Sequence, residues 1–378
     1  MNFFDILVPF GRLENGVLEI SESFRVRLEP PCREYCTLFQ IEADCLGQVL
    51  PRVSFALTGE GQSEPLYHSH TYPLGKKSEQ TLRIPPLFRP ELFLEVCFDL
   101  PEGGRLRIKR LELTPDPAPK APTGGLRFNA HLGFWGLAPN NTLPAFELAA
   151  RCGFAYCIAV PKVTLEGELV CIHDDTINKT ARNASGEPPE EKFYVREHTY
   201  AELSEWEYGS YKYPLFKGEK LPLLSEFFDI CAQSGMHPMF STHPGLTEEQ
   251  WQRVRRMLLE RELLSVFHVK SFRIERLQAA YEVLGTDIEG YTYDRREPDP
   301  MAVSDLLSSG IDTTACRCGI EHRFNHCTEE SVRAITASGL FAAAYDIKRR
   351  DIEEYERLIS YGVTEFTEDY HCSMGLDF

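Results

Sequence analysis

Two histidines stand where apolar runs come to an end. His131 falls near the close of LRFNAHLG (126–133), and His173 closes LVCIH, behind a tight LEGE turn and with Asp174 and Asp175 directly after it. An imidazole titrates near neutral pH, so two of them presented at neighbouring strand ends can act as general base and general acid in one reaction. Phosphoryl transfer is chemistry that such a pair suits. A lone histidine in this setting more often only caps a strand through a hydrogen bond, whereas two at adjacent strand ends shift the balance toward function.

A fold is needed that brings strand ends together. From residue 126 onward, apolar strand-like runs alternate with amphipathic segments, the pattern of βα units on a parallel sheet. Eight runs can be counted: 126–133, 155–163, 237–243, 265–272, 287–293, 311–317, 340–347 and 363–369. Between them lie helix candidates such as LPAFELAARCG, LSEFFDICAQSG, TEEQWQRVRRMLLERE and DIEEYERLISYG, several ending at the glycine that helix C-termini favour. Eight such units in a stretch of this length match a (β/α)8 TIM barrel, whose catalytic groups sit at the C-terminal ends of strands. An open doubly wound sheet is the competing arrangement, but no glycine-rich phosphate loop follows the first run.

Residues 1–115 read differently. Runs such as FRVRLEP, CTLFQIEAD, RVSFALTG and RLRIKRLELT are short, often alternating, and separated by Gly, Pro and Asn, which predicts an all-β sandwich. The proline-rich stretch at 116–125 predicts an extended linker, leaving 126–378 for the barrel. A lid over the barrel mouth or a homodimer contact suits the sandwich better than capture of a carbohydrate polymer.

The motifs within the barrel region resemble the glycerophosphodiester phosphodiesterase family. His131-Leu132-Gly133, then Pro139-Asn140-Asn141-Thr142 and Ala145-Phe146, is similar to the family's His-Arg-Gly, Pro-Glu-Asn-Thr and Ala-Phe. Thr164-Leu165-Glu166-Gly167 and Val170-Cys171-Ile172-His173-Asp174 resemble its Thr-x-Asp-Gly turn and apolar-His-Asp strand. Gly218 through Glu226, Ser271-Phe272, and Gly362-Val363 through Tyr370 resemble later blocks, so the likeness covers about 126–372. It implies a phosphodiesterase barrel acting in lipid metabolism, with His131 and His173 as acid/base pair and Asp174 and Asn141 near the phosphate.

The departures from the family are equally informative. Its metal-binding Glu-x-Asp is replaced by Ile158-Ala159-Val160, and its third-strand glutamate by Ser241. Mg²⁺ and Ca²⁺ need several oxygen ligands, usually with carboxylates among them, and aliphatic side chains offer none. No cofactor is expected, and the family's metal site is expected to be lost. Leu132 replaces the signature arginine and Asn140 the glutamate. A fixed cation could stand in for the metal: Lys162 follows Ile158 and Val160 in the period-two row, and Lys270 precedes Ser271-Phe272. For each, a snorkelling surface lysine is the plain alternative. Phe134 and Trp135 could wall the pocket. The sequence thus supports a metal-independent phosphodiesterase or cyclising lyase, and as an alternative an inactive barrel that binds a sugar phosphate or polyol.

Charge and composition narrow the partners. Lys+Arg 40 against Asp+Glu 57 leaves a net charge of −17, which disfavours nucleic acid and anionic membranes while allowing a small phosphodiester in a locally positive pocket. No basic segment leads an apolar core at the start and no run is long enough to span a bilayer, so a cytoplasmic protein without membrane insertion is expected. Twelve cysteines, mostly in apolar runs, predict reduced thiols rather than a disulfide framework. Cys316, Cys318, His322, His326 and Cys327 form a compact soft-ligand group that could hold Zn²⁺, although its spacing matches no standard finger; buried thiols and loop histidines are the alternative.

Overall fold

The computed structural model describes residues 6–47, 49–59, 65–69, 71–74, 79–87, 91–117, 125–242, 245–345 and 352–369. The chain forms two compact units. One comprises Met1–Gly124 with Lys348–Glu356 and Tyr370–Phe378, the other Gly125–Ile347 with Arg357–Asp369. Most of the predicted linker, 118–124, lies outside the described residues.

The N-terminal unit is a sandwich of two antiparallel sheets. Arg12–Glu14, Val17–Ile20, Arg105–Asp116, Cys36–Leu46 and Glu79–Ile84 form one in that spatial order. Phe24–Leu28, Leu92–Asp99, Arg52–Gly59 and Tyr67–His68 form the other, with Tyr72–Pro73 also on Arg52–Gly59. Burial alternates along Leu92–Asp99, so one face of that strand is apolar and dry. Phe39 of the first sheet meets Phe55 of the second edge-on at 5.1 Å, which places the core between the sheets.

The second unit is a closed parallel barrel. Its strands are β1 (Arg127–Ala130), β2 (Tyr156–Ala159), β3 (His237–Ser241), β4 (His268–Ser271), β5 (Gly290–Asp294), β6 (Arg317–Arg323), β7 (Phe341–Tyr345) and β8 (Val363–Glu368), paired in sequence with β8 returning to β1. The predicted helices appear as Leu143–Arg151, Leu224–Ser234, Glu248–Leu259 and Ile352–Tyr361. Gly235 ends the second of these in the left-handed conformation, and a Thr247–Gln250 capping box opens the third.

Two strands differ from expectation. The run 155–163 is not one strand: the chain leaves the barrel after Ala159, and Pro161–Val163 instead pairs antiparallel with Leu169–Cys171. The sixth strand begins at Arg317 rather than occupying 311–317, because Asp312 Oδ1 accepts from the Thr314 and Ala315 amides and holds that stretch as a turn. This shift also disperses the soft-ligand group. Cys318 and His322 lie four residues apart on β6, about 13 Å along a strand, too far to share an ion. His322 Nδ1 is also engaged by the Arg295 carbonyl at 2.8 Å. Among the described residues no group of three His, Cys, Asp or Glu side chains could hold a metal.

The lumen is unusually ionic. Lys270 of β4 contacts Glu321 of β6 and lies 3.4 Å from Asp294 of β5, while Thr367 of β8 donates to Glu321 at 2.6 Å. Arg317 pairs with Glu365, and Arg127 with Glu289. Most of these pairs join strands that are not neighbours, so they meet across the barrel interior. Buried charges persist only when matched in this way.

Candidate active site

His131 directly follows β1, and its amide donates to the Glu368 carbonyl at the end of β8. The next residue of β8's exit, Asp369, places its carboxylate 2.7 Å from His131 Nδ1. Gly133 explains why the motif needs glycine two residues on: its φ is +76°, and a Cβ there would lie 2.6 Å from the Cβ of Ala145 on the following helix. The chain turns between them through Leu132, itself at φ +57°, a conformation that is strained for a branched side chain.

His173 reaches the same rim by another route. Its hairpin hangs from the end of β2, with the Ile172 amide on the Val160 carbonyl at 3.0 Å. His173 Nδ1 faces Asp174 Oδ1 at 2.6 Å. Asn141 ties the two arms together, because its side-chain Oδ1 accepts from the Val160 amide at 3.1 Å while its backbone N–H donates to the Leu132 carbonyl at 2.9 Å. Its part is thus to lock the β1 loop onto the end of β2. Both imidazoles rise from one sector of the rim, each with a carboxylate on Nδ1, an arrangement that fixes ring orientation.

Between these arms the wall is apolar. Leu132, Tyr156, Ile158, Val160 and Met239 pack into one buried cluster, with Trp135 against it. Ile158 and Val160 are fully buried, and Ser241 at the end of β3 is buried as well. The residues present at the family's metal position therefore do not fit a hard cation: carbon atoms fill it where carboxylate oxygens are required. Trp135 is partly buried and meets the His131 ring edge-on at 5.7 Å. Phe134 is wholly buried against Phe154 and forms no part of the mouth.

The two lysines singled out from the sequence are both engaged. Lys162 is buried in the hairpin with its Nζ 2.6 Å from Asp175. Lys270 belongs to the lumen triad, and its Nζ also lies 5.1 Å from the centre of the Tyr345 ring.

A segment that sequence reasoning passed over packs against the loop that follows β1. The carboxylate of Glu207 accepts from the amides of Gly209, Ser210 and Gly218 and contacts the Ser210 hydroxyl, so it organises 207–218. Those bonds outweigh the cost of its burial and hold its carboxyl below the usual range. Gly209 admits no side chain, because a Cβ would overlap the Phe216 carbonyl at 1.8 Å. From this scaffold the Tyr211 hydroxyl accepts from the Asn140 amide at 3.1 Å, and Lys212 Nζ donates to the Ala138 carbonyl at 3.1 Å. Burial pushes the Tyr211 hydroxyl up to about 12, aided by the charge of Asp174, and pulls Lys212 down to about 7 against the charge of Asp369. The loop thus lies within electrostatic reach of the carboxylate partners of both histidines. The only sequence signal was the polar-aromatic string YGSYKY (208–213).

A closed parallel barrel bearing two carboxylate-anchored imidazoles at its C-terminal rim defines a phosphodiesterase-type barrel. The model of the glycerophosphoryl diester phosphodiesterase family matches residues 131–370, and the chain belongs to that family. A glycerophosphodiester phosphodiesterase of Bacillus subtilis is 24% identical over 259 residues, covering 64% of this chain and 82% of that one. A second B. subtilis protein, YhdW, assigned by inference to the same activity, is 36% identical over 95 residues, and the match spans only 36% of its length. Among solved structures, an Oleispira antarctica phosphodiesterase in complex with its product sn-glycerol-3-phosphate superposes with a TM-score of 0.56 at 22% identity, over 65% of this chain and 93% of that one. A glycerophosphodiester phosphodiesterase from Agrobacterium tumefaciens gives 0.51 at 17% identity, over 65% and 96%. These structures establish the barrel fold; the β-sandwich has no part in the family match.

Proposed function

We propose that the protein hydrolyses, or cyclises and releases, a small phosphodiester of the glycerophosphodiester class through His131 and His173, without the divalent metal its family uses. The supporting observation is the pairing of each imidazole Nδ1 with a carboxylate beside a rim where apolar packing has taken the metal's place. With Nδ1 on Asp369 or Asp174, proton exchange falls to Nε2. One histidine takes the proton of the attacking water or of the substrate's own hydroxyl as the new P–O bond forms. The other gives a proton to the departing alkoxide as the old P–O bond breaks. The product that accompanies the Oleispira enzyme supports glycerol phosphate as one product class.

A cytoplasmic location is part of this proposal, supported by free cysteines that are mostly buried. No helix among the described residues is long and apolar enough to cross a membrane.

The test is hydrolysis of a panel of glycerophosphodiesters and inositol phosphodiesters in excess EDTA. Turnover that survives chelation and disappears in His131→Ala is the expected result. Turnover that requires added Mg²⁺ or Ca²⁺ would refute the metal-free mechanism. Thermal stabilisation by glycerol phosphate with no turnover on any diester would instead establish a binding barrel.

A further inference from the structure

The geometry points to Lys212 as the cation that binds the substrate's phosphoryl oxygens at this mouth, an assignment that rests on the phosphodiester reading above. A phosphodiester carries a negative charge that grows on its oxygens as the reaction proceeds, and the chain has neither the family's arginine nor a fitting metal position to meet it. Some fixed cation is required.

Lys212 is where that charge would be. Its Nζ stands 5.9 Å from the centre of the Trp135 ring, whose edge in turn meets His131, and Asp369 acts on both Lys212 and His131. Position alone would not suffice, since a lysine matched to a carboxylate has little to offer a ligand. Lys162 is matched to Asp175, and Lys270 to Glu321 and Asp294. Lys179 is exposed, with its Nζ 4.0 Å from Asp174. Lys212 makes no ion pair within 4 Å among the described residues. One N–H goes to the Ala138 carbonyl, and the Trp135 and Tyr213 rings lie nearby, the latter at 5.5 Å. An ammonium has three N–H donors, which leaves capacity for an incoming oxygen anion.

The energetics agree with the placement. The cost of partly burying this ammonium draws its proton affinity down to about 7. An anion arriving beside it would repay that cost and restore full charge. The Glu207 scaffold orders the backbone around Lys212 and the Ala138 carbonyl holds its Nζ, which lowers the ordering that binding must supply.

The experiment is calorimetric titration of the full chain with inorganic phosphate in EDTA, alongside Lys212→Met and Lys212→Arg. Lys212→Met should fold, because an apolar group there removes a desolvation cost, and its melting curve provides the check. The expected result is phosphate binding weakened about 10- to 100-fold in Lys212→Met and largely kept in Lys212→Arg. If Lys212→Met does not fold, Lys212→Gln is titrated in its place with the same expectation. Native affinity in the Met or Gln variant overturns the assignment, as does failure of the native chain to bind phosphate at millimolar concentration. Diester turnover is followed in parallel: phosphate binding that needs Lys212 in a chain with no turnover sinks the hydrolase reading and leaves this assignment standing.

Discussion

The barrel holds two sets of charged groups under opposite requirements. At the rim, His131 and His173 are 31% and 40% exposed, and each faces one carboxylate. In the lumen, Lys270, Asp294 and Glu321 are 6%, 1% and 2% exposed and compensate one another. The imidazoles, proposed above to exchange protons, sit where water reaches them, while the lumen groups are buried against one another. The rim set should therefore tolerate substitution with little loss of fold, whereas the lumen set should not.

The largest effects should separate the two sets. Lys270→Met leaves Asp294 and Glu321 buried without their cation and is expected to cost about 3–5 kcal/mol of unfolding free energy, read from urea denaturation. His131→Ala should change stability by less than about 1 kcal/mol yet reduce turnover roughly 10²- to 10⁴-fold. If His131→Ala unfolds the chain while Lys270→Met does not, the division between the sets is wrong.

Next in size is an attempt to put a family carboxylate back. Val160→Asp buries a carboxylate in the cluster of Leu132, Ile158 and Met239 and should cost about 2–4 kcal/mol. Millimolar Mg²⁺ or Ca²⁺ should not recover that loss, because Ile158 and Ser241 still deny the ion its other ligands. Metal-dependent recovery in a melting curve would show that the rim retains a latent cation site.

These contrasts also show what the sequence made legible. The eight-strand count, the rim position of both histidines and the lost carboxylates follow from local patterns, because a strand's period and a motif's spacing are short-range properties. Lys162 marks where that reasoning ends. The period-two row is real up to Val160, but Pro161 begins a hairpin outside the barrel, and parity no longer says where the next side chain goes. Lys212 was invisible for a related reason. Its position depends on Glu207 gathering amides from Gly209, Ser210 and Gly218, a non-repeating pattern that no periodicity reveals. The sixth strand was placed early because IDTTACR has strand-like composition, while the Asp312 side chain holds its centre in a turn.

A smaller effect is expected from the carboxylate that orients the first histidine. Asp369→Asn keeps the shape but can no longer stabilise a protonated His131, so turnover should fall on the order of 10²-fold. The melting temperature should hardly change, since Asp369 belongs to the rim set. Steady-state kinetics would check this, and an unaltered rate would reduce the 2.7 Å contact to packing.

A comparable effect is expected in the lumen and depends on pH. Burial pushes the Asp294 carboxyl up to about 7, with Lys270 pulling it back and Glu321 adding to the rise. The folded state then holds this proton more tightly than the unfolded chain, whose aspartates titrate near 4. Its contribution to stability is fully present below about 4 and is lost as pH rises through about 7. Asp294→Asn cannot ionise, so its stability relative to the native chain should rise as pH goes from 5 to 8, by up to about 2–3 kcal/mol. Urea midpoints of both proteins across that range measure the gain directly. A difference independent of pH would mean that Lys270 keeps Asp294 ionised throughout, which would make the lumen set permanently charged and sharpen its contrast with the rim.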